Sequence, residues 1–164
     1  MNNDVYIGTP DDVDAVMALA LAGSVENSFV TPSPGRLLEE VWPALVGDRG
    51  VMGLIGPKGK LEGAVLLRIG KMWYSDQDVL EEKAIFIHPD YRSAKGGRAR
   101  KLCEFSKRAA DRLELPLIIG VLSNHRTEGK VRLYRRQFGE PSGAFFLYGG
   151  KTGFMKDDQN GRQD

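Results

Sequence analysis

The apolar positions of this chain change period near residue 50. Before it they recur every three or four residues, as on one face of a helix; after it they run together or alternate, as in strands. "YIGTP" predicts a short first strand ending in turn residues. Val13, Val16, Met17 and Ala20 then share one helical face, with Thr9 as N-cap, Pro10 at the first position, Asp11 and Asp12 in the first turn and Gly23 at the close. Residues 24–34, rich in Ser, Thr and Pro, read as a loop. "GRLLEEVWPALVG" predicts a second helix, broken near Pro43. "VMGLIGPKGKLEGAVLLRIG" predicts a β-hairpin turning at Pro57–Lys60, which "KMWYSDQD" extends or leaves. "VLEEKAIFIH" predicts a strand, apolar enough at Ala84–Ile87 to be central.

Helical spacing returns from Gly97 to Leu113. Ala99, Leu102, Cys103, Ser106, Ala109, Ala110 and Leu113 form one face, and most of the Arg and Lys residues lie off it. "LPLIIGVLS" predicts a buried strand, Thr127–Phe138 a further helix and "GAFFLYGG" a last strand. The predicted order is β-α-α-β-β-β-α-β-α-β, a mixed α/β domain around one sheet. Residues 1–155 read as a single domain and the polar residues 156–164 as a disordered tail. The β-α-β unit at residues 83–123 should be a right-handed parallel crossover.

Composition narrows the class. At 164 residues the chain can bury one real core, and 41% hydrophobic with 27% charged residues is ordinary for a globular domain. No apolar run reaches the length of a membrane span, and "MNNDVYIG" lacks the pattern of a secretory signal. Cys103 is the one cysteine, so no internal disulfide forms, and the expected location is a reducing cytoplasm. Two histidines and one cysteine are too few for a transition-metal site. The net charge of +1 conceals a split: residues 1–48 hold eight acids and one base, whereas residues 92–112 hold eight bases and two acids. That split suits an anion-binding side opposite an acidic side.

The stretch with the most specific chemistry is "HPDYRSAKGGRARKL", residues 88–102. Gly96 and Gly97 stand where the chain turns into a helix, among Arg92, Lys95 and Arg98. A helix start has free N–H groups and a partial positive charge, and glycines let a ligand approach the backbone, so the pattern suits a pyrophosphate. It is neither a P-loop nor a dinucleotide fingerprint, because GxxxxGK[ST] and GxGxxG are both missing.

"IFIHPDYRSAKGGRARKL" resembles the signature of the GCN5-related N-acetyltransferases, in which a strand ending in a V-x-P-x-Y-R-like segment leads into Q/R-x-x-G-x-G/A and a helix. Arg92 falls on the Q/R position and Gly97 on the final Gly/Ala; Lys95 stands where the motif has its first glycine. "TPDDVDAV" is similar to the family's first helix and "VRLYRRQFG" to its LY-x-x-x-GF segment, with Phe and Gly reversed. The resemblance implies the family's mostly antiparallel central sheet with one parallel crossover and about four flanking helices. It implies acetyl-CoA as co-substrate and no metal. The pyrophosphate would lie on the loop and helix start Arg92, Ser93, Ala94, Lys95, Gly96, Gly97, Arg98 and Ala99. The pantetheine arm would pair with Ile85, Phe86 and Ile87, where the strand splays from its neighbour. Lys130, Arg132, Arg135 and Arg136 would meet the ribose phosphate.

Acetyl transfer to an amine also asks for a base and an acid. Glu81 and Glu82 lie upstream of the cofactor contacts, and Glu81 has the spacing at which some family members place their base; adjacent strand residues face opposite ways, so one at most points into the cleft. Tyr134 matches the family tyrosine that protonates the leaving thiolate, and a backbone N–H near Ile87 would hold the developing oxyanion. The acidic N-terminal part, with Asp11, Asp12 and Asp14, suggests a cationic acceptor, a small-molecule amine such as a polyamine or an aminoglycoside-like molecule, or a basic peptide, used by a monomer or homodimer. Two other classes compete: a non-catalytic acyl-CoA-binding module, and a nucleic-acid-binding protein, which the lack of aromatics interleaved with the basic residues disfavours.

Overall fold

The computed structural model describes residues 4–92, 95–122 and 127–149. Five strands form one sheet in the order β1-β2-β3-β4-β5: β1 (Tyr6–Ile7), β2 (Gly50–Ile55), β3 (Gly63–Lys71), β4 (Asp78–Ile87) and β5 (Leu117–Ile118). The first three pairings are antiparallel and β4–β5 is parallel. Helices α1 (Val13–Asn27) and α2 (Pro34–Leu45) cover one face. Helix α3 (Arg98–Leu113) covers the other, with α4 (Thr127–Phe138) beside it.

Each face follows from side-chain alternation along the strands. Met52, Leu54, Ala64, Leu66 and Phe86 meet Val16, Leu19, Val41 and Leu45 under α1 and α2. Ile55, Val65, Leu67, Leu80 and Ile85 meet Leu102, Cys103 and Ala110 under α3. Burying each of the Val, Leu, Ile, Met and Phe side chains among them contributes about 1.5–3 kcal/mol. Near the end of α1 a Cβ at Gly23 would fall 2.8 Å from the Phe86 ring, so only glycine lets the helix lie this close to β4.

The sequence reading needs correction in four places. Helix α2 is not broken at Pro43: the proline sits in the last turn and the helix runs to Leu45, closed by Val46 N–H donating to the Trp42 carbonyl at 3.0 Å. Helix α1 passes Gly23 and ends at Asn27. Only Leu117 and Ile118 of "LPLIIGVLS" pair with β4, and the chain then leaves the sheet. Residues 143–149 form no strand, because β5 offers no regular edge for them to join; Phe146 is 96% exposed there. The tail predicted at 156–164 lies outside the described residues. No helix among the described residues is long and apolar enough to cross a membrane.

Candidate active site

Two irregularities in β4 open a cleft. The pairing with β3 slips by one residue at Lys83: Leu66 faces Ala84, while the next residue, Leu67, faces Glu82. Such a bulge re-aims the side chains around it. On the other side, β5 pairs only with Leu80 and Glu81. From Lys83 to Ile87 the β5-facing backbone edge of β4 therefore has no strand beside it among the described residues. A cleft of about 520 Å³ lies along this gap, between the α1–α2 wall and α4.

Glu82 and Tyr134 both line it; Glu81 does not. Glu81 lies on the other face of β4, its carboxylate 2.9 Å from Lys83 Nζ. Burial pushes the Glu82 carboxyl up to about 7, only partly offset by a hydrogen bond from the Gly120 N–H and by the charge of Lys130. Burial also raises the Tyr134 hydroxyl, followed by the charges of Glu82 and Cys103, so the phenol stays protonated at neutral pH. Its ring packs edge-to-face on Phe138 at 5.9 Å. Cys103 is fully buried and its thiol is pushed up to about 12, chiefly by burial and then by Glu82, which suits a core residue rather than a nucleophile.

The loop after β4 is held by ion pairs that the sequence did not disclose. Arg92 makes a two-pronged pair with Glu26 of α1, at 2.6 and 2.7 Å, while its Nε donates to the Ile87 carbonyl and its guanidinium covers the Phe86 ring. Arg98 Nε donates to Glu62 at 2.8 Å, with both side chains about nine-tenths buried, and stacks on Tyr91. Of the three cations flanking the glycines, two therefore serve the loop itself, and Lys95 stands exposed. Gly96 and Gly97 have φ of +143° and +59°, and Gly97 is the left-handed N-cap of α3. A side chain at either position would strain the turn. Ser93 and Ala94 lie outside the described residues, and Ala99 is half-buried in the first turn of α3. Ile85 and Phe86 are buried and line the cleft, while Ile87 is half-buried beyond it.

These features fit an acyl-CoA. The unaccompanied edge of β4 can pair with an amide-bearing arm, and the glycine turn leads to the free N–H groups of α3 at its far end. Lys130 of α4 faces the cleft, whereas Arg132, Arg135 and Arg136 are exposed. Asp11, Asp12 and Asp14 do not line the cleft. Asp12 is buried and bonded to Lys58 at 3.1 Å, so the acids facing the cleft are Glu40 and Glu82 instead. Glu62 escaped the sequence reading, and Glu26 and Glu40 entered it only as two of the eight N-terminal acids, because their partners or neighbours lie far away in the chain.

No family model matches the chain, and no curated protein matches its sequence. Solved structures do match. An integron cassette protein from the mobile metagenome of Cole Harbour Salt Marsh has a TM-score of 0.66 at 19% identity, with 88% of each chain covered. The aminoglycoside N-acetyltransferase AAC(6')-Iy, in complex with a CoA-based bisubstrate analogue, has a TM-score of 0.66 at 15% identity, covering 88% of this chain and 95% of that one. A predicted acetyltransferase from Clostridium acetobutylicum with acetyl-CoA has a TM-score of 0.68 at 7% identity, covering 88% and 94%. The chain has the fold of the GCN5-related N-acetyltransferases, as its signature segment implied. At these identities the likeness establishes the fold, and the chemistry rests on the chain's own residues.

Proposed function

We propose that the protein is an acetyl-CoA-dependent N-acetyltransferase, a single catalytic domain over residues 1–155 that acts on a primary amine by direct attack in a ternary complex. The observation that carries this reading is the pairing of Glu82 with Tyr134 in one desolvated corner of the cleft, beside the free edge of β4. Acetyl-CoA supplies an acetyl group activated as a thioester. Ile85–Ile87 hold the pantetheine arm, and Arg92–Ala99 hold the pyrophosphate.

The acceptor arrives as an ammonium, with a pKa near ~10. Glu82, titrating at about 7, is ionised in a large fraction of molecules at neutral pH and takes that proton directly or through one water. The Ile87 segment offers a backbone N–H to the oxygen that gains charge. Tyr134, kept protonated by its surroundings, gives its proton to the departing sulfur. The ammonium loses two protons in all. Glu82 takes the first before attack, Tyr134 gives its own to the sulfur as the C–S bond breaks, and the nitrogen's second proton restores the Tyr134 phenol as the amide forms. Glu82 then returns its proton to solvent, so one proton is released per turnover. The test is incubation with acetyl-CoA and an amine panel, following free thiol and acetylated amine together. Matched release of both supports the reading. Tight acetyl-CoA binding without either product would point instead to a non-catalytic acyl-CoA-binding module.

A further inference from the structure

We propose that the α1–α2 wall of the cleft binds a second ammonium group, so that the acceptor is an aliphatic di- or polyamine. This rests on the acetyltransferase reading for the reacting end of the acceptor, and on the wall's own chemistry for the other end.

From α1, Val16, Leu19, Ala20, Gly23, Ser24 and Asn27 line the cleft at helical spacing, apolar at first and polar at the end. Asn27 Nδ2 donates to the Gly23 carbonyl at 2.8 Å. A carbonyl can only accept, so this bond fixes which way the amide points. Asn27 Oδ1 is then a buried acceptor that receives no hydrogen bond among the described residues. Leaving such an atom unmet is costly, so it favours a ligand that brings a donor.

From α2, Glu40 lines the same cleft, half-buried. Its carboxylate makes no ion pair or hydrogen bond among the described residues; the nearby Arg68 donates to the Glu40 backbone carbonyl at 3.0 Å instead. The cations at the cleft are committed elsewhere, Lys83 to Glu81 and Lys130 to the field around Glu82. A negative charge and an unmet acceptor on one wall match an ammonium, which has three donors and one charge. The apolar part of the lining includes Leu19, Leu37, Val41 and Leu66, which suits methylenes better than sugar hydroxyls.

The experiment compares spermidine with n-octylamine as acceptors, in the wild type and in Glu40→Gln. The expected result is a kcat/KM preference for spermidine that falls about tenfold in the variant, with Glu40→Asp recovering part of it. Calorimetry of spermidine binding should show the same weakening without any turnover. An unchanged preference together with unchanged spermidine binding overturns the inference. If no amine is acetylated, the acetyltransfer reading fails, and the calorimetric comparison still decides whether the wall binds the polyamine.

Discussion

Glu82 on β4 and Tyr134 on α4 line one cleft; after burial itself, the Glu82 charge is the largest factor that keeps the Tyr134 phenol protonated. On the proposed reading the two take opposite tasks: an acid held near neutrality to accept a proton, and a phenol held protonated to give one.

The pH dependence follows with a definite sign. Because the folded-state pKa of Glu82 is raised to about 7, the base form grows in as pH rises through that value. The kcat/KM for an amine acceptor should therefore rise with an apparent pKa near 7, and Glu82→Gln should abolish that limb. The same shift makes ionised Glu82 a stability cost that sets in as pH rises from the ordinary carboxyl range through about 7. The melting temperature of Glu82→Gln should gain on the wild type as pH rises from about 4.5 to about 7, and hold that gain above it.

Asp12 behaves in the opposite sense. Burial alone would raise its pKa, but the Thr9 N–H and Lys58 outweigh burial and lower it. Its contribution to stability is present above the ordinary carboxyl pKa and is lost as pH falls through the lowered folded-state value. Asp12→Asn should melt lower at neutral pH, with the gap closing under acid; thermal melts across pH check this.

The Arg98–Glu62 pair anchors the start of α3 to the end of the β2–β3 turn, with only 10% and 11% of the two side chains exposed. Glu62→Ala leaves a buried guanidinium without its counter-charge, which should cost about 3–5 kcal/mol. Denaturant unfolding measures this directly, and Arg98→Met combined with Glu62→Ala should recover much of the loss.

Lys95 is exposed at the glycine turn. On the proposed reading Lys95 meets a phosphate, so Lys95→Gly should weaken acetyl-CoA binding a few-fold, on the order of 0.5–1 kcal/mol, and more visibly at low salt. Tighter binding by Lys95→Gly would show that the lysine makes no such contact.

The fold was legible where local rules act alone. Period and capping placed α1, α3 and α4 and the β2–β3 hairpin, and the segment 85–102 named the fold class. Long-range geometry was not legible. Nothing local says that β5 leaves the sheet after Ile118, because its apolar run continues to Leu122. The bulge at Lys83 is equally silent, although it governs which way Glu82 points. Alternation allowed one of Glu81 and Glu82 into the cleft, and only the three-dimensional arrangement distinguishes them. Arg92 and Arg98 looked like free phosphate ligands because Glu26 and Glu62 lie 66 and 36 residues away. The acidic N-terminal run likewise suggested Asp11, Asp12 and Asp14 as the acceptor side, whereas the cleft presents Glu40.

The most direct test of the central claim is single-enzyme turnover of acetyl-CoA with a primary amine, measured for the wild type and Tyr134→Phe together. Acetyl transfer through this cleft predicts matched release of free CoA and acetylated amine by the wild type. It also predicts a fall in kcat of about a hundredfold or more in the variant, with acetyl-CoA affinity little changed. Equal turnover by both proteins, or acetyl-CoA binding with no acetylated product from either, would contradict it.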